Sequence, residues 1–225
     1  HEFKPNLSSI PVISHTTEGQ IKMVEEANGD SLDASKLWSK SNGSKRSEVT
    51  DEIKNMLDSG WAYNNESRTD AYKRFFEMDV FKEYMVYMLG DLDRMTRTYD
   101  NDSSLKRLNG FFAVKYKTIE DKMSNKGELE GNGVESKQER YFNFGLLVDY
   151  HRLIFGMGRY QNLMFLAYGN KYSQEVLKKK IGKRLGKLTE QLNAIKVHFK
   201  DELNIDPDNF KYGLNLDKSN GGGKK

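Results

Sequence analysis

The chain has 225 residues, enough for one large domain or two small ones, with 36% of residues apolar and 31% charged, a balance that suits a modest core under a polar surface. Its formal charge of +3 and isoelectric point near 8.8 are too mild to argue for nucleic-acid binding by themselves. Cysteine is absent, which excludes disulfides, thiolate metal sites and a cysteine nucleophile.

Residues 1–44 are rich in Ser, Asn, Thr and Gly, hold two of the three prolines (Pro5 and Pro11), and show little periodicity. They read as an extended N-terminal arm with one short helix after Thr17, anchored by Ile10, Val12, Ile13, Leu37 and Trp38. The opening His1-Glu2-Phe3 reads as a cloning remnant. No proline then occurs until Pro207, so long helices can run uninterrupted between 45 and 204, the expected body of the protein.

Within that body the spacing predicts five helices. The first covers 46–59, with Val49, Ile53, Met56 and Leu57 inward and Gly60 ending it. A second runs from Ser67 to about Tyr99 and fills more than one face with apolar residues. The third, about 103–124, carries a stripe at Leu105, Leu108, Phe112, Ile119 and Met123 after the turn and cap at Asp100–Ser103. A Gly-rich polar loop, 125–135, separates it from a fourth helix at 136–168, which Ser136 and Glu139 open with capping-box spacing. That fourth helix is the most hydrophobic part of the chain. Asp149, His151, Arg152 and Arg159 interrupt it too often for a membrane span, so it reads as a central buried helix.

The fifth helix, 171–203 with Ser173 as cap, has the clearest pattern. Leu177, Ile181, Leu185, Leu188, Leu192, Ile195, Phe199 and Leu203 recur at steps of three and four, one stripe on an ideal wheel. This segment carries nine Lys/Arg against four Asp/Glu, while residues 1–170 sum to −3. From 205 the chain should leave the helix. Phe210, Tyr212, Leu214 and Leu216 read as an extended strap, and the end as a disordered tail. The fold class predicted is all-α, a single bundle of about five helices with an arm and a short tail.

Two groups of residues are candidate sites. Lys179, Lys180, Lys183, Arg184 and Lys187 crowd cations into about two turns, which would attract sulfated glycans, acidic protein surfaces, lipid head groups or nucleic acid. The same run also serves as a solvated face that keeps the protein in solution. Gly182 and Gly186 lie outside the apolar stripe, where they would admit a close neighbouring backbone. The second group is Asp149, His151, Arg152 and Arg159, either a structural ion-pair network or a polar ligand pocket with acid and base groups. A looser group, Tyr84, Tyr87 and Tyr99, offers aromatic recognition area or core edge.

Other chemistries lack their residues. The four histidines show no metal-ligand spacing, and Glu-x-x-His does not occur. Asp100-Asn101-Asp102 begins like a calcium loop, but Leu105 and Phe111 stand where its glycine and bidentate glutamate belong. Dinucleotide, P-loop and nucleophile-elbow motifs are missing too, so no cofactor, metal or catalytic residue is expected.

In composition and architecture the chain resembles the surface lipoproteins of Borrelia-type spirochaetes. It shares their polar N-terminal tether, their Lys/Asn/Glu/Phe-rich, proline-poor helical body, and stretches such as KKKIGKRLGKLTEQLNAIKVHFKDELN. The resemblance implies a non-enzymatic protein of the outer surface, held by a lipid anchor that this chain does not carry, with a host protein or glycan as partner in adhesion, immune evasion or virulence. It transfers no individual binding residue. The alternative from the residues is an intracellular helical protein that meets nucleic acid through the basic face. A third is an enzyme with a pocket around Asp149, His151 and Arg152. The spacing does not settle oligomeric state, because the fifth-helix stripe would also serve as a coiled-coil seam.

Overall fold

A computed structural model describes residues 43–97, 100–129 and 136–210; most of the N-terminal arm, the loop centre and the strap beyond Phe210 lie outside the described residues. The described residues are helical, with no strand among them: α1 (Gly43–Ser59), α2 (Arg68–Phe76), α3 (Asp79–Thr96), α4 (Asn101–Ser124), α5 (Lys137–Tyr168) and α6 (Gln174–Leu203). Short 3₁₀ turns follow α4 and α6, at Lys126–Leu129 and Pro207–Asn209. Among the described residues this is the all-α architecture expected from the sequence, with six helices where five are expected for the body; the expected short helix after Thr17 lies outside the described residues. The described residues fall into two units, one of 43–90 with 208–210 and one within 91–207, the boundary lying within α3.

The helix starts follow local capping chemistry. Ser67, Asp100, Ser136 and Ser173 each sit in extended backbone and accept a hydrogen bond from the amide of Asp70, Asp102, Glu139 and Val176 respectively. Gly60 ends α1 in the left-handed region, with φ 81°, its N–H bonded to the Met56 carbonyl. Asn204 does the same for α6 at φ 51°, one of the few side chains that tolerate that conformation. The Ile205 amide then reaches back to the Phe199 carbonyl at 3.1 Å, and Ile205 is itself buried, closing the end as a Schellman motif does.

In the first unit the expected helix from Ser67 onward is broken at Glu77-Met78, although neither proline nor glycine stands there. The cause is a shift in the phase of the buried residues. Ala71, Tyr72, Phe75 and Phe76 define one face and Phe81, Met85 and Leu89 another, about 110° away on a continuous helix. A tight turn, with the Glu77 amide bonded to Lys73 and Arg74 and the Met78 amide to Phe75, lets both faces meet. Phe81 then lies 5.6 Å from Phe75 and 5.0 Å from Phe76, centroid to centroid. Trp61 stacks on Phe75 at 4.3 Å, and Phe210 meets Phe76 edge-on at 5.1 Å. Around this core Arg74 forms a clamp: it donates to Glu66 and to the Trp61 carbonyl while covering the Tyr63 ring at 3.9 Å.

In the second unit α4, α5 and α6 pack against one another. The α6 stripe is buried at every predicted position except Leu192, which is half-buried. Because the chain itself covers that stripe, it is not an exposed coiled-coil seam. On α4, Leu105, Leu108, Phe112 and Ile119 are buried as expected; Met123 is only half-buried, and Phe111 joins the core. No described helix is long and apolar enough to cross a membrane.

Candidate functional site

The cationic run occupies the first half of α6, from which the buried Leu177, Ile181, Leu185 and Leu188 fix its orientation. Lys178, Lys179, Lys180, Lys183, Arg184 and Lys187 are all exposed, and no acidic residue occurs between 176 and 189. They span about 14 Å of helix. Among the described residues none of the six is paired with a carboxylate within 4.0 Å.

The structure divides the run in two. Lys180, Arg184 and Lys187 lean over rings: Lys180 Nζ is 4.5 Å from the Tyr172 centroid, Arg184 Cζ 5.7 Å from Phe112 and Lys187 Nζ 5.9 Å from Tyr116. Arg184 Nε also donates to Asn109 Oδ1 at 2.6 Å, tying α6 to α4. Lys179 and Lys183, one turn apart, stay clear of such contacts and face solvent. The close helix approach expected at Gly186 does not occur, since a Cβ built there meets nothing within 4 Å.

The polar group of α5 is arranged differently. Asp149 is buried between two lysines of α4, accepting from Lys115 Nζ at 2.8 Å and Lys122 Nζ at 3.1 Å. Lys122 reaches it past Gly145, where a Cβ would stand 2.8 Å from Nζ. Arg152 is half-buried and its guanidinium lies 5.1 Å above the Phe111 ring. The half-buried His151 meets the ring of its neighbour Tyr150 edge-on at 5.2 Å.

Arg159 is ten residues, about 15 Å, further along the helix than Asp149. Its Nε lies 3.7 Å from the buried Asp93, whose other oxygen accepts from Arg97 at 3.0 Å. Burial pushes the Asp93 carboxyl above its usual range against the pull of Arg159 and Arg97, and burial likewise lowers Arg159. Asp149 and Arg159 therefore belong to separate ion-pair groups, one with α4 lysines and one with Asp93.

Of the tyrosines singled out by sequence, Tyr87 is buried, which raises its phenol, Tyr84 is half-buried, and Tyr99 lies outside the described residues. A different tyrosine set does line a concavity. Between α4, α5 and the start of α6 lies an open cleft of about 490 Å³, walled by Tyr160, Tyr168, Tyr172, Leu105 and Met164, with Asp102, Lys106, Asn109 and Lys180 at its polar edges. Tyr168 Oη donates to Asp102 Oδ1 at 2.9 Å, and this bond to a carboxylate holds the phenol above its usual range. No group of three or more His, Asp or Glu among the described residues is placed to hold a metal ion. Comparison of the chain with protein-family models, with curated proteins and with solved structures returns no match.

Proposed function

We propose that this chain is a non-enzymatic binding protein that captures an anionic partner, a sulfated or carboxylated glycan before an acidic protein face, on the cationic ridge of α6. The observation that carries the reading is a set of six exposed cations along about 14 Å of one helix, with no carboxylate among the described residues to neutralise them. The helix is fixed by its buried stripe and by the Arg184–Asn109 bond, so the charges are held in place around its solvent side before any partner arrives. Presentation at a cell surface rests on the compositional resemblance to spirochaete surface lipoproteins.

The test is a triple variant, Lys179→Glu, Lys183→Glu, Lys187→Glu, measured against immobilised heparin at physiological salt. The expected result is at least tenfold weaker binding with helical signal and melting temperature unchanged. Full retention of binding by the triple variant overturns the site.

A further inference from the structure

The cleft between α4, α5 and the start of α6 has the lining of a ligand site that the ridge alone does not require. Its walls are three tyrosine rings with Leu105 and Met164, and its rim holds two ammonium groups, Lys106 and Lys180, against one carboxylate, Asp102. Its volume falls within the ~300–1,000 Å³ of small-ligand sites. The polar edge offers both hydrogen-bonding senses. Asp102 Oδ1 is taken by the Tyr168 hydroxyl, but no described group bonds Oδ2; Asn109 Oδ1 is taken by Arg184, which leaves its amide N–H₂ to donate. Tyr172, 42% exposed, stands at the mouth with Lys180 Nζ 4.5 Å from its centroid.

We infer that this cleft binds an acidic saccharide unit, with the sugar ring packed among the tilted tyrosine rings, its hydroxyls at Asp102 and Asn109, and its carboxylate or sulfate between Lys106 and Lys180. The chemistry selects that class. Aromatic faces give a pyranose ring broad dispersion contact. Asp102 Oδ2 can accept a donor from the ligand, which a sugar hydroxyl supplies and a plain aromatic acid does not. The excess of ammonium over carboxylate favours an anion over a neutral sugar. The inference extends the glycan reading of α6, but apart from Lys180 it is carried by other residues.

The experiment titrates a glucuronate-terminated disaccharide, its glucose-terminated neutral counterpart, and benzoate into the isotope-labelled chain, followed by NMR. The expected result is saturable shifts of Lys106, Tyr168, Tyr172 and Lys180 signals with the acidic disaccharide, and at least tenfold weaker binding of the other two probes. Tyr172→Ala and Lys106→Ala, both at exposed side chains, should each weaken it about tenfold without lowering the melting temperature. Binding of benzoate as tight as that of the disaccharide overturns the inference, as do an unresponsive cleft or two variants of full affinity. The two readings fail separately. A chain that holds heparin through Lys179, Lys183 and Lys187 yet ignores the disaccharide overturns the cleft alone; one that binds the disaccharide but not heparin overturns the ridge alone.

Discussion

Replacing Asp149 by asparagine removes, at nearly constant volume, the charge on which two α4 lysines converge. At about 3 Å and an effective dielectric near 20, each Lys–Asp attraction is about 5–6 kcal/mol gross. Desolvation of the buried carboxylate offsets several kcal/mol of that, and breaking a buried pair by removing one partner costs about 3–5 kcal/mol. The lysines, however, are 16% and 30% exposed, so their ammonium groups can turn to water once the carboxylate is gone. The expected loss is therefore about 2–3 kcal/mol. In a chain of this size that lowers Tm by about 5–10 °C.

Urea denaturation followed by circular dichroism reads the loss, and a double-mutant cycle with Lys115→Met isolates the pair, with a coupling energy above about 1 kcal/mol expected. Heparin binding should not change. A loss below about 0.5 kcal/mol with no coupling would refute the assignment of Asp149 as a structural tie between α4 and α5. Wild-type stability combined with lost binding would make it a ligand-contacting residue.

Other outcomes follow from the same geometry. Phe81→Ala empties the contact with Phe75 and Phe76 that the turn at Glu77-Met78 creates, and should cost about 3–5 kcal/mol in chemical denaturation. Gly186→Ala, in mid-helix with open space around its Cβ, should stabilise by about 0.5–1 kcal/mol and leave heparin binding intact. Burial raises the Asp93 carboxyl above its unfolded value near 3.8. Its contribution to stability is thus fully present below about pH 3.8 and is lost as pH rises through the folded value. Asp93→Asn should remove that component, so the fall in stability on raising pH from about 4 becomes shallower in melts across pH; an unaltered profile would count against it.

What the sequence reveals and what it conceals divide by distance along the chain. Ser67, Asp100, Ser136 and Ser173 are legible as caps because each bonds an amide two or three residues away. The α6 stripe is legible because one helical period governs all eight positions. The break at Glu77-Met78 lacks a proline or glycine to announce it, and its only signal is the phase slip between Tyr72, Phe75, Phe76 and the set from Phe81 onward.

The sites depend on partners far off in sequence. The lysines of Asp149 stand 34 and 27 residues before it, and Arg184 reaches Asn109 across 75. The basic run in the sequence therefore does not reveal that Lys180, Arg184 and Lys187 lie over rings of Tyr172, Phe112 and Tyr116. The tyrosine cleft is hidden in the sequence for the same reason. Tyr160 and Tyr168 lie two turns apart on α5, but only the fold brings Asp102 and Lys106 of α4 opposite them.

The most direct measurement of the central claim is the salt dependence of heparin affinity, by fluorescence anisotropy, for the wild type and for single Lys179→Gln and Lys183→Gln variants and their double. If the solvent-facing lysines bind the anionic chain, each neutralisation should make the slope of log K against log salt shallower by somewhat less than one, additively in the double. An unchanged slope in the double variant would contradict capture by this ridge and return its lysines to the role of a solvated helix face.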